Sequence, residues 1–170
     1  MKDRIVFITG ASSGIGLGCA RKFASQGASL ILNARNVTVL EDIKKELETK
    51  YATRVLLLPF DVRNRDEVAK ALTSLSQEWQ AVDVLINNAG LVIGLDKEHQ
   101  GNLDEWDVVI DTNIKGLLTV TRLLVPGMVE RGRGHIINIG SIAGDGAYPG
   151  GSVYCATKAA VKALSDGLRI

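Results

Sequence analysis

The sequence predicts an α/β domain built on a doubly wound parallel sheet. Short apolar runs rich in Val, Ile and Leu alternate along the whole chain with stretches of helical periodicity. A glycine-rich turn, Thr9-Gly10-Ala11-Ser12-Ser13-Gly14-Ile15-Gly16, stands where the first run meets the first helical stretch. Neither observation suits an all-helical bundle or an antiparallel sandwich.

Taken in order, the predicted strands are residues 5–9, 29–34, 55–60, 84–87 and 135–139. Each is apolar on both faces, as a strand covered on both sides should be. The helical stretches are 14–26, 37–49, 65–79 and 105–131, with a last one from about 152 to the end of the chain. Asn64 and Asp66 are candidates to cap the third helix and Asp104 the fourth. Pro126 predicts a kink or break near Leu124, because proline removes a backbone donor and clashes with the preceding turn. Right-handed crossovers between parallel strands complete a single domain over residues 1–170. The last helical pattern reaches Ile170 without a cap or closing loop. The expectation is therefore a longer protein, cut short after the fifth strand and the helix that follows it.

Charge is nearly balanced, 20 basic against 19 acidic residues. No basic stripe points to nucleic acid. No apolar run approaches the ~20 residues of a membrane-spanning helix, and no secretory signal pattern precedes the first strand. A cytoplasmic protein is expected. Cys19 and Cys155 both fall in helical stretches and read as small packing residues. His99 and His135 lie in no ligand cluster, so no metal is expected. Trp79 and Trp106 read as packing residues.

The glycine turn suits a dinucleotide. Gly10 allows the tight turn, Gly14 lets a phosphate approach bare backbone, and Gly16 lets helix and strand pack closely. Ser12 and Ser13 offer hydroxyl donors, and Ile15 is counted with them as cofactor-binding. After the second strand the chain reads Asn33-Ala34-Arg35. A guanidinium in place of the usual carboxylate favours the 2′-phosphate of NADP over NAD. Asp61 and Val62 follow the third strand, where carboxylate and backbone amide are placed to contact adenine. Asn87-Asn88-Ala89-Gly90 follows the fourth, where small residues permit close approach of ribose and nicotinamide.

Tyr154 and Lys158 lie four residues apart, one turn along one helix face. A phenol beside an ammonium is a general acid/base pair, since the positive charge favours the phenolate.

These pieces, together with Asn113 and Ser141, resemble the short-chain dehydrogenase/reductase family in order and spacing over the whole chain. Residues 61–65, 111–117, 126–131, 134–144 and 150–158 most resemble its NADP-dependent 3-hydroxy acid dehydrogenases, which act on serine and allo-threonine. The resemblance implies a Rossmann fold and a set of roles. Tyr154 would exchange a proton with the substrate oxygen. Lys158 would hold the nicotinamide ribose and bias Tyr154. Ser141 would hydrogen-bond the reacting oxygen, and Asn113 would hold a water linking Lys158 to solvent. Ser141 and Tyr154 would thus bind the substrate. The pocket wall is expected from residues 91–100 and 143–151, closed in the family by a further strand and loop.

The resemblance further implies a dimer or tetramer through the apolar positions Leu117, Leu118, Val120, Leu123, Leu124, Ala159, Val161 and Leu164. A general carbonyl or 3-oxoacyl reductase, or a non-catalytic nucleotide-binding scaffold, are the alternatives.

Overall fold

The computed structural model describes residues 1–169; the predicted end of the last helix at Ile170 lies outside them. Five strands, β1 (Ile5–Ile8), β2 (Ser29–Ala34), β3 (Val55–Pro59), β4 (Val84–Asn87) and β5 (His135–Asn138), form one sheet in the order β3-β2-β1-β4-β5. Every pairing is parallel. The chain winds outward from β1 in one direction to β3, then returns to add β4 and β5 on the other side. That reversal between β1 and β4 opens a crevice beyond their C-terminal ends, where ligands of such sheets bind.

Alternation along the strands divides the core in two. Val6, Ile8, Leu30 and Leu32 face α1 (Gly14–Ser25) and α2 (Val37–Tyr51), which contribute Ala20, Ala24, Leu40, Ile43 and Leu47. Phe7, Ile31 and Leu85 face the opposite layer. There they meet Val68 and Leu72 of α3 (Arg65–Thr73), Trp79 of α4 (Gln77–Gln80) and Val120, Leu124 and Met128 of α6 (Leu117–Glu130). Fully burying each such side chain stabilises the fold by about 1.5–3 kcal/mol.

The third predicted helix is broken into α3 and α4. Thr73 Oγ1 donates to the Ala69 carbonyl and Ser74 Oγ to that of Ala71, so hydroxyls take the last carbonyls and end the helix. Asn64, not Asp66, caps α3 through a bond from the Glu67 amide. The fourth begins at α5 (Leu103–Ile110), capped by Asn102 rather than Asp104, whose own amide donates to the Asn102 side chain at 2.9 Å.

Between α5 and α6 the helix continues as a π-turn, Asp111–Gly116. The predicted break near Leu124 does not occur. Helix α6 runs through Pro126, because Leu117, Val120, Thr121, Leu124 and Met128 bury one face on the sheet while Pro126 sits on the exposed side. There water can take the freed carbonyl. The final helix, α7, spans Ser152–Gly167.

Strand β5 is not buried on both faces. His135 is exposed and Ile136 to Asn138 are half-buried, because β5 is an outer strand of the described sheet; β3, at the other edge, is half-buried at Leu56 to Leu58 and exposed at Pro59. Among the described residues no helix is long and apolar enough to cross a membrane.

Candidate active site

Backbone geometry prepares the glycine turn before any ligand is considered. Gly10 has φ +63° and Gly14 φ +53°, left-handed conformations that favour glycine. A Cβ on Gly16 would stand 2.3 Å from the Gly10 carbonyl oxygen, so only glycine lets α1 start this close to β1. A Cβ on Gly14, by contrast, would meet nothing within 4 Å. The backbone there is open to an approaching group.

Two side chains outside the glycines hold the turn. Asn88 Nδ2 donates to the carbonyls of Thr9 at 3.0 Å and Gly10 at 2.9 Å. Thr9 Oγ1 accepts from the amides of Asn88 and Ala89, each at 3.0 Å. Asn88 therefore shapes the cradle with its side-chain amide. Ser13 is the N-cap of α1 but makes no side-chain capping bond, and Ser13, Gly14 and Ile15 are exposed beside half-buried Ser12. The first-turn N–H groups and both hydroxyls thus remain donors for an anion.

At the other end of the crevice, Arg35 is exposed directly after β2. Asp61 lies near enough for Arg35 to help hold its carboxyl below the usual carboxylate range, though hydrogen bonds from Arg63 are the main cause. Arg63 grips Asp61 through Nη2 at 2.7 Å and Nε at 3.0 Å. The carboxylate expected to face adenine is thus held by a neighbouring guanidinium. Val62 is buried and packs against Gly116 of the π-turn, where a Cβ would stand 2.8 Å from Val62 Cγ2.

The catalytic candidates come from β4, the π-turn, β5 and α7. Lys158 is only 8% exposed, and burial pulls its ammonium below the ordinary lysine range. Its Nζ donates to the Ile139 carbonyl at 2.8 Å and lies 5.8 Å from the centre of the half-buried Tyr154 ring. A Cβ at Gly90 would be 3.3 Å from Asn113 Oδ1 and 3.6 Å from Lys158 Nζ, which fixes both groups at the end of β4.

Asn113 is buried, with its side chain fully engaged. Oδ1 accepts from the Leu91 amide, while Nδ2 donates to the Leu91 carbonyl and to Thr157 Oγ1. Ser141 is exposed just past β5; its Oγ accepts from the Ala143 amide at 3.1 Å, leaving the hydroxyl proton to donate. The glycine of Gly144 lets the loop after Ser141 lie on α7, since a Cβ there would be 2.9 Å from the Lys158 carbonyl.

The two predicted wall segments meet. A Cβ on Gly150 would stand 2.2 Å from the Leu95 carbonyl oxygen, and Ser152 Oγ donates to the Glu98 carboxylate, lowering its pKa. His99 lies in a short 3-10 turn, Glu98–Gln100, and is exposed. Trp79 is a core residue, and Trp106 packs on Gly101. Sequence reasoning missed the hydroxyls of Thr9 and Thr157 and the Glu98–Ser152 contact. For the two threonines the available signal was a hydroxyl residue immediately before Gly10 and before Lys158.

A family model for short chain dehydrogenases matches residues 4–170. An NADP-dependent 3-hydroxy acid dehydrogenase of Salmonella typhi is 47% identical over 165 residues, covering 97% of this chain and 65% of that protein. The chain therefore spans just under two thirds of that relative's length. Serine dehydrogenase from Escherichia coli superposes with a TM-score of 0.91 at 45% identity, covering 97% of this chain and 74% of the other. The closed form of serine dehydrogenase complexed with NADP+ gives a TM-score of 0.90 at 45% identity, covering 97% and 65%.

Proposed function

Because the chain belongs to the short-chain dehydrogenase family, we propose that it is the cofactor-binding and catalytic part of an NADP-dependent oxidoreductase that interconverts a secondary alcohol and a carbonyl. The proposed substrate is a small 3-hydroxy acid such as serine or allo-threonine. The observation that carries this reading is a buried ammonium, Lys158, one turn from Tyr154 and beside Gly90 at the crevice.

The residues fit NADP. The Gly14 backbone is open, the first turn of α1 is uncapped by Ser13, and Arg35 offers an exposed cation past β2. NADP, when bound, supplies the hydride acceptor or donor. This chain's residues move the proton and hold the substrate. In oxidation, Tyr154 takes the hydroxyl proton as the C–H hydrogen leaves with its electron pair; in reduction the proton returns from the phenol to the carbonyl oxygen. Ser141 donates a hydrogen bond to that oxygen and steadies its charge. Lys158 keeps the phenolate form accessible and would hold the nicotinamide ribose. Asn113 is proposed to hold a water linking Lys158 to solvent, while its side chain ties down the loop past β4 through Leu91 and Thr157.

The test follows NADPH absorbance with 3-hydroxy acids, semialdehydes, 3-oxoacyl thioesters and ketones. Tyr154→Phe should lower kcat by about 10²–10⁴-fold with the fold intact; near-normal turnover refutes the assignment. Arg35→Ala should erode the preference for NADP over NAD, and an unchanged ratio removes that role. One observation favours a broader carbonyl reductase. Val92, Ile93, Leu95 and Tyr148 are all exposed on the wall segments, apolar surface that suits a bulkier ketone. A panel in which only bulky ketones react decides for it. Inert substrates with measurable NADPH binding point to a scaffold.

The proposal includes a cytoplasmic homo-oligomer, dimer or tetramer. Leu118 and Ala159 are exposed and Leu123 and Leu164 half-buried, which leaves them available to a second copy. Leu117, Val120, Leu124 and Val161 are internal packing residues instead. Light scattering that returns a monomer removes this part.

A further inference from the structure

We propose that Thr157 is a positioning residue whose hydroxyl fixes α7, with Tyr154 and Lys158 on it, against the crevice past β4. The inference rests on the oxidoreductase reading above and adds a component to it. Threonine within a helix commonly returns its hydroxyl proton to a carbonyl of the preceding turn. Here Thr157 Oγ1 donates to the Tyr154 carbonyl at 2.7 Å and also accepts from Asn113 Nδ2 at 3.0 Å. Asn113 in turn clasps Leu91 on both sides, accepting from its amide at 2.9 Å and donating to its carbonyl at 3.0 Å.

One polar chain thus runs from the loop past β4, through the π-turn, into the backbone of Tyr154 itself. Thr157 is 1% exposed and Asn113 2%, so water does not compete for these bonds. Apolar packing alone, as by Cys155 and Val161 on the same helix, resists separation but yields to sliding and rotation. A directional bond to a single oxygen resists both. Thr157 immediately precedes Lys158, so any rotation of α7 that breaks the bond also carries the ammonium away from Gly90.

The test compares Thr157→Val, which keeps shape and removes the hydroxyl, with Thr157→Ser, which keeps the hydroxyl. Amide exchange is read by NMR on the chain as it stands. In Thr157→Val the Leu91 amide should exchange about tenfold faster, because its acceptor Asn113 has lost its brace. The core amides of Phe7, Ile31 and Leu85 should be unchanged. In the active protein kcat should fall about ten- to hundredfold, as expected when proton-handling groups are misplaced. Thr157→Ser should restore both readouts. If Thr157→Val does not fold, Thr157→Ala takes its place with the same expectations. Wild-type Leu91 exchange and kcat in the hydroxyl-free variant, or a Ser variant as impaired as the Val variant, overturns the proposal. A wild type that turns over no alcohol or carbonyl while showing the Leu91 pattern sinks the oxidoreductase reading and supports the brace.

Discussion

Lys158 is held where a lysine is seldom found. It is nearly buried, its one hydrogen-bond acceptor is a carbonyl, and no carboxylate forms an ion pair with it among the described residues. Burial disfavours its charged form, so the folded protein releases this proton at lower pH than the unfolded chain, where lysine titrates near about 10.4. Between those two values the unfolded chain binds more protons. Stability therefore rises with pH through that window, and below it the full cost of burying the charge is present. Lys158→Met should accordingly melt at or above the wild-type temperature near neutral pH, with the gap closing as pH climbs toward about 10. The same variant should lose about 10²-fold or more in turnover. A Met variant that melts well below wild type at neutral pH contradicts this account. The placement of the four candidates was legible at this scale: Tyr154 and Lys158 share one turn of α7, Ser141 follows β5, and Asn113 lies in the helical stretch before it. The use of Asn113's side chain was not, because bonds to Leu91 and Thr157 span 22 and 44 residues and leave no trace in local pattern.

Among elements, α1 and the turn before it carry the tightest steric demand. Gly16→Ala would drive a methyl carbon into the Gly10 carbonyl and the Asn88 amide, at 2.3 and 2.5 Å. Backbone there has no easy route aside. A destabilisation of about 1–3 kcal/mol is expected, read as a lower urea midpoint, together with weakened dinucleotide binding. An alanine variant of wild-type stability would show that the turn yields more readily than its contacts imply. Strand positions were readable almost to the residue, since β2 and β4 are centred on the apolar runs Leu30-Ile31-Leu32 and Val84-Leu85-Ile86. Helix interruptions were less so. The gap after Thr73 depends on two hydroxyls choosing backbone carbonyls, and the π-turn at Asp111–Gly116 on how Asn113 is drawn inward. Pro126 does not end α6, for a related reason: a proline costs a helix about 3 kcal/mol, but the apolar face of α6 outweighs it.

For the molecule as a whole, one carboxylate gathers the end of the sheet opposite the crevice. Asp83 is 5% exposed; it accepts from the Ile5 amide at 2.9 Å and from Arg4 at 3.0 Å, and forms an ion pair with Arg133 at 2.8 Å. It thereby joins the approaches to β1, β4 and β5. Asp83→Asn keeps the shape and removes the charge, and should cost about 1.5–3 kcal/mol in urea unfolding; an unchanged midpoint would show the two arginines to be solvated rather than engaged. The doubly wound parallel sheet was legible from strand–helix alternation and the glycine turn, whereas the strand order and the exposure of β5 belong to the assembled sheet and to no single residue. The polar chain from Leu91 through Asn113 and Thr157 to Tyr154 has a consequence for chronology. As the polypeptide leaves the ribosome, β1, β2 and β3 emerge well before α7. On the proposed reading, the proton-handling groups would align only once α7 docks and Thr157 meets Asn113, after the segments meant for the nucleotide have been made.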